Sequence, residues 1–441
     1  MPWTDRRQTG WGRALSATGQ IARPERQTAL ARLMADTPAP AVGMRRSYGD
    51  AALNHGGRAC DMTRLDRILD FDPETGIVEV EAGLPIGDLC RAFAGRGWIP
   101  PVMPGTGFAT VGGCIANDVH GKNHHVMGSF GQHVTEIVLL QGPRRRRITP
   151  RSGALWRATL GGLGQTGAIA TAKIRLMPCT GDAMVLSERR MPDLDAFLHA
   201  LDDSRSDYTV GWIDAAATGA RLGRGILEEG EIAAGLLPRK PRRGTASVPC
   251  DAPGWALSAP VVRGFNTLYY HRIPTQGRTG VKPLDGPFFP LDRIRDWNRL
   301  YGKAGFYQFQ CVLPPARAEV LRQMLERIGG SGRASPLAVL KKMGAGSGGY
   351  LSFPMEGYTL AVDVPNRPGA ADLLSELTDM TADAGGRIYF AKDGIATAGQ
   401  VAGMYPERDK WREAVEKADP ERLYETDLVR RLGLRDPERT A

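Results

Sequence analysis

PGTGFATVGGCIANDVHGKNHH, residues 104–125, decides how the rest of the chain is read. Glycines at 105, 107, 112, 113 and 121 bracket small and β-branched residues, and Asp118, His120, Lys122, Asn123, His124 and His125 follow within a few positions. Four of the seven histidines lie between 120 and 133, so titratable chemistry is concentrated here. Glycine lets a backbone approach a ligand closely and take positive φ, and amides exposed at such turns suit anionic groups. Taken alone, the stretch also fits a plainer reading, a glycine-rich surface loop beside a solvated polar turn.

Two other segments repeat the design. Upstream, PAPAVGMRRSYGDAALN reads as a strand over 41–43 running into a tight polar turn at 45–50, which offers arginine, hydroxyl and backbone donors to a phosphate. Downstream, GGLGQTGAIATAKIRL (161–176) is again a glycine loop feeding a strand. Three such segments suggest backbone converging on one elongated ligand. Around them, PERQTALARLMAD has helical periodicity begun by Pro24, ILDFDPETGIVEVEAG predicts a hairpin, PIGDLCRAFAGRGW an amphipathic helix and HVTEIVLLQ a buried strand. The arginines at 144–147 fall where a solvated turn is expected.

Beyond Pro178 the glycine loops stop, which puts a domain boundary near 180. Segments 224–247, containing RKPRR, and 272–286 read as mobile basic loops. From 306 onward, FYQFQCVLP, LAVLKKMG and YTLAVDVP predict strands and PARAEVLRQMLERIG a helix; a second helix closes at Gly385-Gly386 and is followed by a strand carrying Tyr389 and Lys392. The expected class is α+β, with an antiparallel sheet covered by helices on one face as a substrate platform. The tail reads as two charged helices separated at Asp419-Pro420.

At 441 residues the chain is long for one core. Hydrophobic residues at 42% and charged residues at 24% exclude wholesale disorder. The net charge of +9 admits nucleic acid, an anionic membrane surface or a phosphorylated substrate. No zinc-finger spacing or basic-aromatic interleaving occurs, so nucleic acid is the least supported. Six scattered cysteines without CxxC pairs fit reduced thiols and no metal site, and the absence of an apolar leader or a long apolar run predicts a cytoplasmic protein, with peripheral contact at the inner membrane face.

As a set, RRSYGDAALN, the 104–125 stretch, SFGQHV, GGLGQTG and IYFAKD resemble the flavin oxidoreductases of the vanillyl-alcohol-oxidase type, and within them the decaprenylphosphoryl-β-D-ribose 2'-oxidase family. The resemblance runs from TGWGR to the tail. It implies a two-subdomain FAD-binding domain (1–180), a substrate domain (181–385) and a C-terminal segment (386–441) returning to the first. FAD would lie with Arg46, Ser47, Tyr48 and Gly49 near its pyrophosphate. Gly105, Thr106, Gly107, Thr110, Gly112, Gly113, Ala116, Asn117, His120 and Gly121 would run along it, with Gly164, Gly167, Ile169 and Tyr389 nearby. Many relatives attach the flavin through a histidine in the loop matching RRSYGD; this chain has Tyr48 there, which predicts non-covalent FAD.

An alcohol oxidised by flavin loses a hydride and a hydroxyl proton, so the site needs a proton acceptor and groups that orient the sugar. The resemblance implies Lys392 and His120 as catalytic, and Lys122, Gln308, Gln310 and Lys341 as further substrate contacts, with Lys342 pointing away. Two departures stand out. The family's reactive pocket cysteine falls at Ala361, and Phe288-Phe289-Pro290 replaces a tyrosine and a histidine. The implied substrate is a polyprenylphosphoryl ribose, oxidised at its 2'-hydroxyl to a keto-sugar, with a separate short-chain reductase completing an epimerisation for cell-envelope glycans. The rivals are an oxidase of free alditols or aldonolactones, and a non-enzymatic polyanion-binding protein using the basic runs near 144 and 240.

Overall fold

The computed structural model describes residues 3–237, 246–346 and 348–436, so RKPRR at 239–243 lies outside the described residues. The N-terminal region holds two sheets. A hairpin of Thr4–Thr9 and Ser16–Ala22 is extended by Arg58–Asp61 and Ala41–Val42, both added in parallel. The second sheet is antiparallel, in the order Ile68–Asp72, Ile77–Glu81, Ala168–Arg175, Val134–Gln141, Arg144–Ile148. Val78, Val80, Ile137, Leu139 and Ile174 from this sheet pack with Leu30 and Met34 of the Gln27–Asp36 helix and Leu89 and Phe93 of the Ile86–Phe93 helix in one core.

Between Ala183 and Ile388 the chain forms an eight-stranded antiparallel sheet, in the order Arg278–Pro283, Ala183–Met191, Gly225–Ala233, Tyr208–Ile213, Ala338–Met343, Gly357–Pro365, Phe306–Leu313, Arg387–Ile388. Alternation along the strands separates two faces. Leu340, Leu360, Val362, Cys311 and Leu313 pack under the helices Leu194–Asp203, Ala318–Ser331 and Ala370–Asp383. Their neighbours Val339, Lys341, Ala361, Gln308 and Gln310 line a cavity on the other face. This is the α+β arrangement expected of an FAD-binding and substrate-platform pair.

The tail packs back on the N-terminal region. The Tyr424 hydroxyl accepts from the Gly142 amide (2.8 Å) and donates to the Leu140 carbonyl (3.2 Å), and the Arg431 guanidinium pairs with Asp50 (2.7 Å) and Asp393 (2.9 Å). Among the described residues no helix is long and apolar enough to cross a membrane.

Four local expectations change. The arginines at 144–147 are not a turn but an edge strand, because Gly142 (φ +57°) and Pro143 make the turn one step earlier; edge strands tolerate cations that discourage further pairing. Within 272–286, Arg278–Pro283 pairs along the sheet edge; its side chains are mostly exposed, so no alternation marks it in the sequence. Within 224–247, Gly225–Ala233 is an interior strand bonded on both sides. Finally, the last strand ends at Ile388, and Tyr389 and Lys392 sit in the turn that follows.

Candidate active site

The loop at 45–50 is fixed by its own backbone. The amides of Trp11 and Gly12 donate to the carbonyls of Ser47 (2.8 Å) and Tyr48 (3.1 Å), and the Tyr48 amide donates to Ala391 (2.9 Å). That last bond joins RRSYGD to the turn at 389–393, where the amides of Lys392 and Asp393 both donate to the Tyr389 carbonyl (2.8 and 3.1 Å). A Cβ on Gly49 would lie 1.7 Å from the Asp393 carbonyl oxygen, so only glycine lets the two loops close. The consequence is chemical: Lys392 Nζ sits 3.9 Å from the centre of the Tyr48 ring.

These loops, the 104–122 stretch and the uncovered face of the large sheet enclose a cavity of about 650 Å³. Of the residues nominated for FAD, Arg46, Ser47, Tyr48, Gly105, Thr106, Thr110, Gly112, Gly113, Ala116, Asn117, His120, Gly121, Gly164, Gly167, Ile169 and Tyr389 line it. Of those nominated for substrate, Lys122, Gln308, Gln310, Lys341 and Lys392 do so as well. Gly49 and Gly107 do not. Gly49 is needed for loop closure, and Gly107 packs against Gly87 (2.9 Å from an added Cβ) while its amide donates to Asp292 (2.7 Å).

The polar cluster divides. Asp118 accepts from Ser352 (2.5 Å), Ser129 and the Gly131 amide, and Asn123 donates to the Pro101 carbonyl. His124 accepts from the Gly344 amide, while the His125 and His133 rings bond the carbonyls of Ser206 and Met127. Only His120 and Lys122 reach the cavity; among the described residues no set of His, Cys, Asp and Glu side chains comes together to hold a metal.

The lining fits a large polar cofactor. Arg45 Nε, Arg46 Nε, Asn117 Oδ1 and His120 Nδ1 all belong to lining residues and are buried without a protein partner, a costly state that a polar ligand relieves. A Cβ added at Gly105 or Gly164 would meet nothing within 4 Å, so bare backbone borders open space there. The Arg46 guanidinium lies over the rings of Trp11 (3.9 Å) and Phe108 (4.7 Å), which holds it in place as an anion contact. These residues would hold FAD.

Facing the sheet, burial dominates the electrostatics. Desolvation, with help from Lys341, pushes the His120 pKa well below its ordinary value, so the ring is neutral. Gln310 Nε2 donates to His120 Nε2 (3.1 Å) and to Thr359 Oγ1 (3.1 Å), leaving the ring proton on Nδ1. Desolvation and then the charges of Lys122 and Lys392 bring the Lys341 pKa down to about 7. Lys122 is lowered by burial despite its contact with Glu228 (3.6 Å), and Lys392 is lowered by burial against the opposing pull of Asp363. Lys342 turns away and pairs with Asp202 (2.9 Å).

Several site residues escape sequence reasoning. Asp363 is completely buried behind the lining, accepts from Gln308 Nε2 and from the Tyr301 hydroxyl (3.0 Å), and is raised by burial. Its signal was available: a carboxylate inside the apolar strand YTLAVDV. Trp11, Trp212, Glu228, Tyr269 and Asp292 also line the cavity, with no local motif to mark them. Phe288 and Phe289 are core residues, and Ala361 lines the cavity.

A family model described as an FAD binding domain matches residues 20–144. The chain is 34% identical to decaprenylphosphoryl-beta-D-ribose oxidase of Mycolicibacterium smegmatis, over 98% of both chains. It is 33% identical to an uncharacterized protein in the mprA 5' region of Streptomyces coelicolor, over 77% of this chain and 96% of that one. Delta(24)-sterol reductase of Homo sapiens is 32% identical over only 26% of this chain and 23% of its own. Full-length similarity and an FAD-fitting cavity agree: the chain is an FAD-dependent oxidoreductase and belongs to the decaprenylphosphoryl-β-D-ribose oxidase family.

Proposed function

We propose that this protein oxidises the 2'-hydroxyl of a polyprenylphosphoryl-β-D-ribose to a keto-sugar, using non-covalently held FAD. In this reading a separate short-chain reductase completes an epimerisation that supplies cell-envelope glycans. The observation that carries the substrate class is charge. With Lys392 counted as the free amine its role requires, the cavity lining still holds Arg45, Arg46, Lys122, Arg295 and Lys341 against Glu228, Asp292 and Asp296. The diphosphate of the cofactor and the phosphodiester of a lipid-phosphate sugar are anions that balance this excess; a free polyol supplies no such partner for Lys341.

When bound, the flavin supplies a hydride acceptor. The chain handles the proton and the sugar. Lys392, with its pKa lowered by burial, offers a free amine that accepts the hydroxyl proton, and Asp363 behind it stabilises the ammonium so formed. Gln308 gives its amide to Asp363, which leaves its carbonyl oxygen as an acceptor for a sugar hydroxyl. Neutral His120, held by Gln310, presents its unpartnered Nδ1–H as a donor. Lys341 and Lys122 take the phosphodiester.

Non-covalent attachment is supported by Tyr48, which stands where relatives carry the linking histidine, and by His120 Nε2 being engaged with Gln310. Acid precipitation should release all yellow colour to the supernatant; colour in the pellet refutes it. The substrate reading is tested by anaerobic mixing of the FAD-loaded protein with a short-chain polyprenylphosphoryl ribose and, separately, with free alditols. Flavin bleaching and a dehydrogenated product with the first alone is expected. Bleaching by the alditols alone would overturn the assignment.

A further inference from the structure

The cavity wall carries a carboxylate that the sheet itself does not favour. Glu228 lies on the interior strand Gly225–Ala233, where it stands opposite Val210 on one side and opposite Glu188 on the other. Like charges directly opposite each other on neighbouring strands are destabilising. The nearby cations are committed to Glu188, which is buried and takes Arg278 (2.7 Å), Lys282 (2.8 Å) and Arg272 (3.2 Å); Arg272 reaches Glu228 only at 3.8 Å. A neutral side chain at 228 would suit the sheet better, so the carboxylate serves the cavity that Glu228 lines.

There it meets the two lysines assigned to the phosphodiester. Lys122 Nζ is 3.6 Å from Glu228 Oε2, and the Lys122 carbonyl accepts from the Thr209 amide (2.9 Å), which fixes the lysine's loop to the strand beside Glu228. The strands Tyr208–Ile213 and Ala338–Met343 pair Gly211 with Leu340, and one residue further along that register Lys341 stands beside Val210. Glu228, Val210 and Lys341 thus form one row across three strands on the open face, about 10 Å from end to end. Val210 is short and apolar, so the space over it is framed by Lys341 on one flank and by Lys122 with Glu228 on the other. Two ammonium groups and one carboxylate leave a single positive charge, the complement of a phosphodiester monoanion. A phosphomonoester carries about two negative charges at pH 8, because its second pKa is about 6.

We infer that Glu228 sets the charge of the anion this cavity accepts: by neutralising one of the two lysines it admits the monoanionic phosphodiester of a lipid-linked sugar and turns away dianionic sugar phosphates. This role rests on the proposed phosphodiester substrate and adds to it the residue that excludes the soluble phosphomonoesters of the same sugar. An unfavourable charge built against the wrong ligand is a general route to specificity. In a partly buried wall such repulsion is little screened.

The test is isothermal titration of FAD-loaded protein at pH 8 with 2-deoxyribose 1-phosphate and with its neryl phosphodiester, neither of which has a 2'-hydroxyl to oxidise. Wild type is expected to bind the diester and to take the monoester only weakly. In Glu228→Gln the monoester should gain at least about tenfold relative to the diester. Glu228→Asp keeps the charge and should stay close to wild type. Bound flavin and the melting temperature monitor folding; should Glu228→Gln fold poorly, Glu228→Ser carries the same expectation. A monoester-to-diester ratio unchanged in the neutral variant, or an Asp variant that matches it, would overturn the role of Glu228 while leaving the phosphodiester reading intact. Failure of the diester to bind wild type would remove the phosphodiester reading itself, and the role of Glu228 with it.

Discussion

Lys341→Met separates substrate recognition from the cost of the buried charge. Methionine matches the length of lysine but carries neither charge nor donor. If Lys341 holds the phosphodiester, its loss removes a charge-assisted hydrogen bond of about 1.5–3 kcal/mol, which is about 10- to 150-fold in KM. In the proposed mechanism Lys392, not Lys341, handles the hydroxyl proton, so kcat should change little. Free alditols, lacking the phosphate, should show no such penalty.

The second arm concerns stability. Burial lowers the Lys341 pKa from 10.5 to about 7. Between these values the unfolded chain binds the proton and the folded one does not, so stability rises with pH through this window and the cost is full below about 7. At ~1.4 kcal/mol per pH unit the bound is about 5 kcal/mol at pH 6 and about 2 kcal/mol at pH 9. It is an upper bound because the ammonium keeps access to the cavity. Thermal melts of the substrate-free, FAD-loaded proteins should therefore show Lys341→Met gaining more over wild type at pH 6 than at pH 9. A gain that is equal or larger at pH 9, or an unchanged KM for the phosphorylated sugar, refutes the reasoning.

Other outcomes follow from the same contacts. Lys392→Ala should keep its yellow colour but lose about 10²–10⁴ in the rate of anaerobic flavin reduction. Asp363→Asn removes the anion that favours the Lys392 ammonium, so the amine is free at lower pH and the rising limb of kcat/KM against pH should move to the acidic side; an alkaline or absent shift contradicts this. Electrophilic nitroso-type inhibitors should leave the wild type unmodified by mass spectrometry, whereas Ala361→Cys places a thiol in the cavity wall and should be captured. Gly49→Ala should lower the melting temperature and weaken FAD retention, since its Cβ would overlap the Asp393 carbonyl at 1.7 Å and force apart the two loops joined by the Tyr48–Ala391 bond.

What the sequence made legible were features whose cause is local. The glycine stretch needs glycine for close approach, and the alternation in FYQFQCVLP reflects a sheet with one covered and one open face, so Gln308 and Gln310 could be put on one side in advance, while Lys341 was named by the family resemblance. The arginine strand and the edge strand Arg278–Pro283 were illegible because exposed edges carry no burial pattern. Asp363 shows the other limit. Its place behind the cavity wall depends on Gln308 one strand away and on Lys392 in a later turn, and the turn depends on the Gly49–Asp393 contact between chain ends. Glycine at 49 was nominated for the cofactor, yet its requirement is to bring the Tyr48 loop onto the Lys392 turn. A position can thus be restricted by what it assembles rather than by what it touches, and here the assembled object is the turn carrying Lys392, the residue proposed to take the proton.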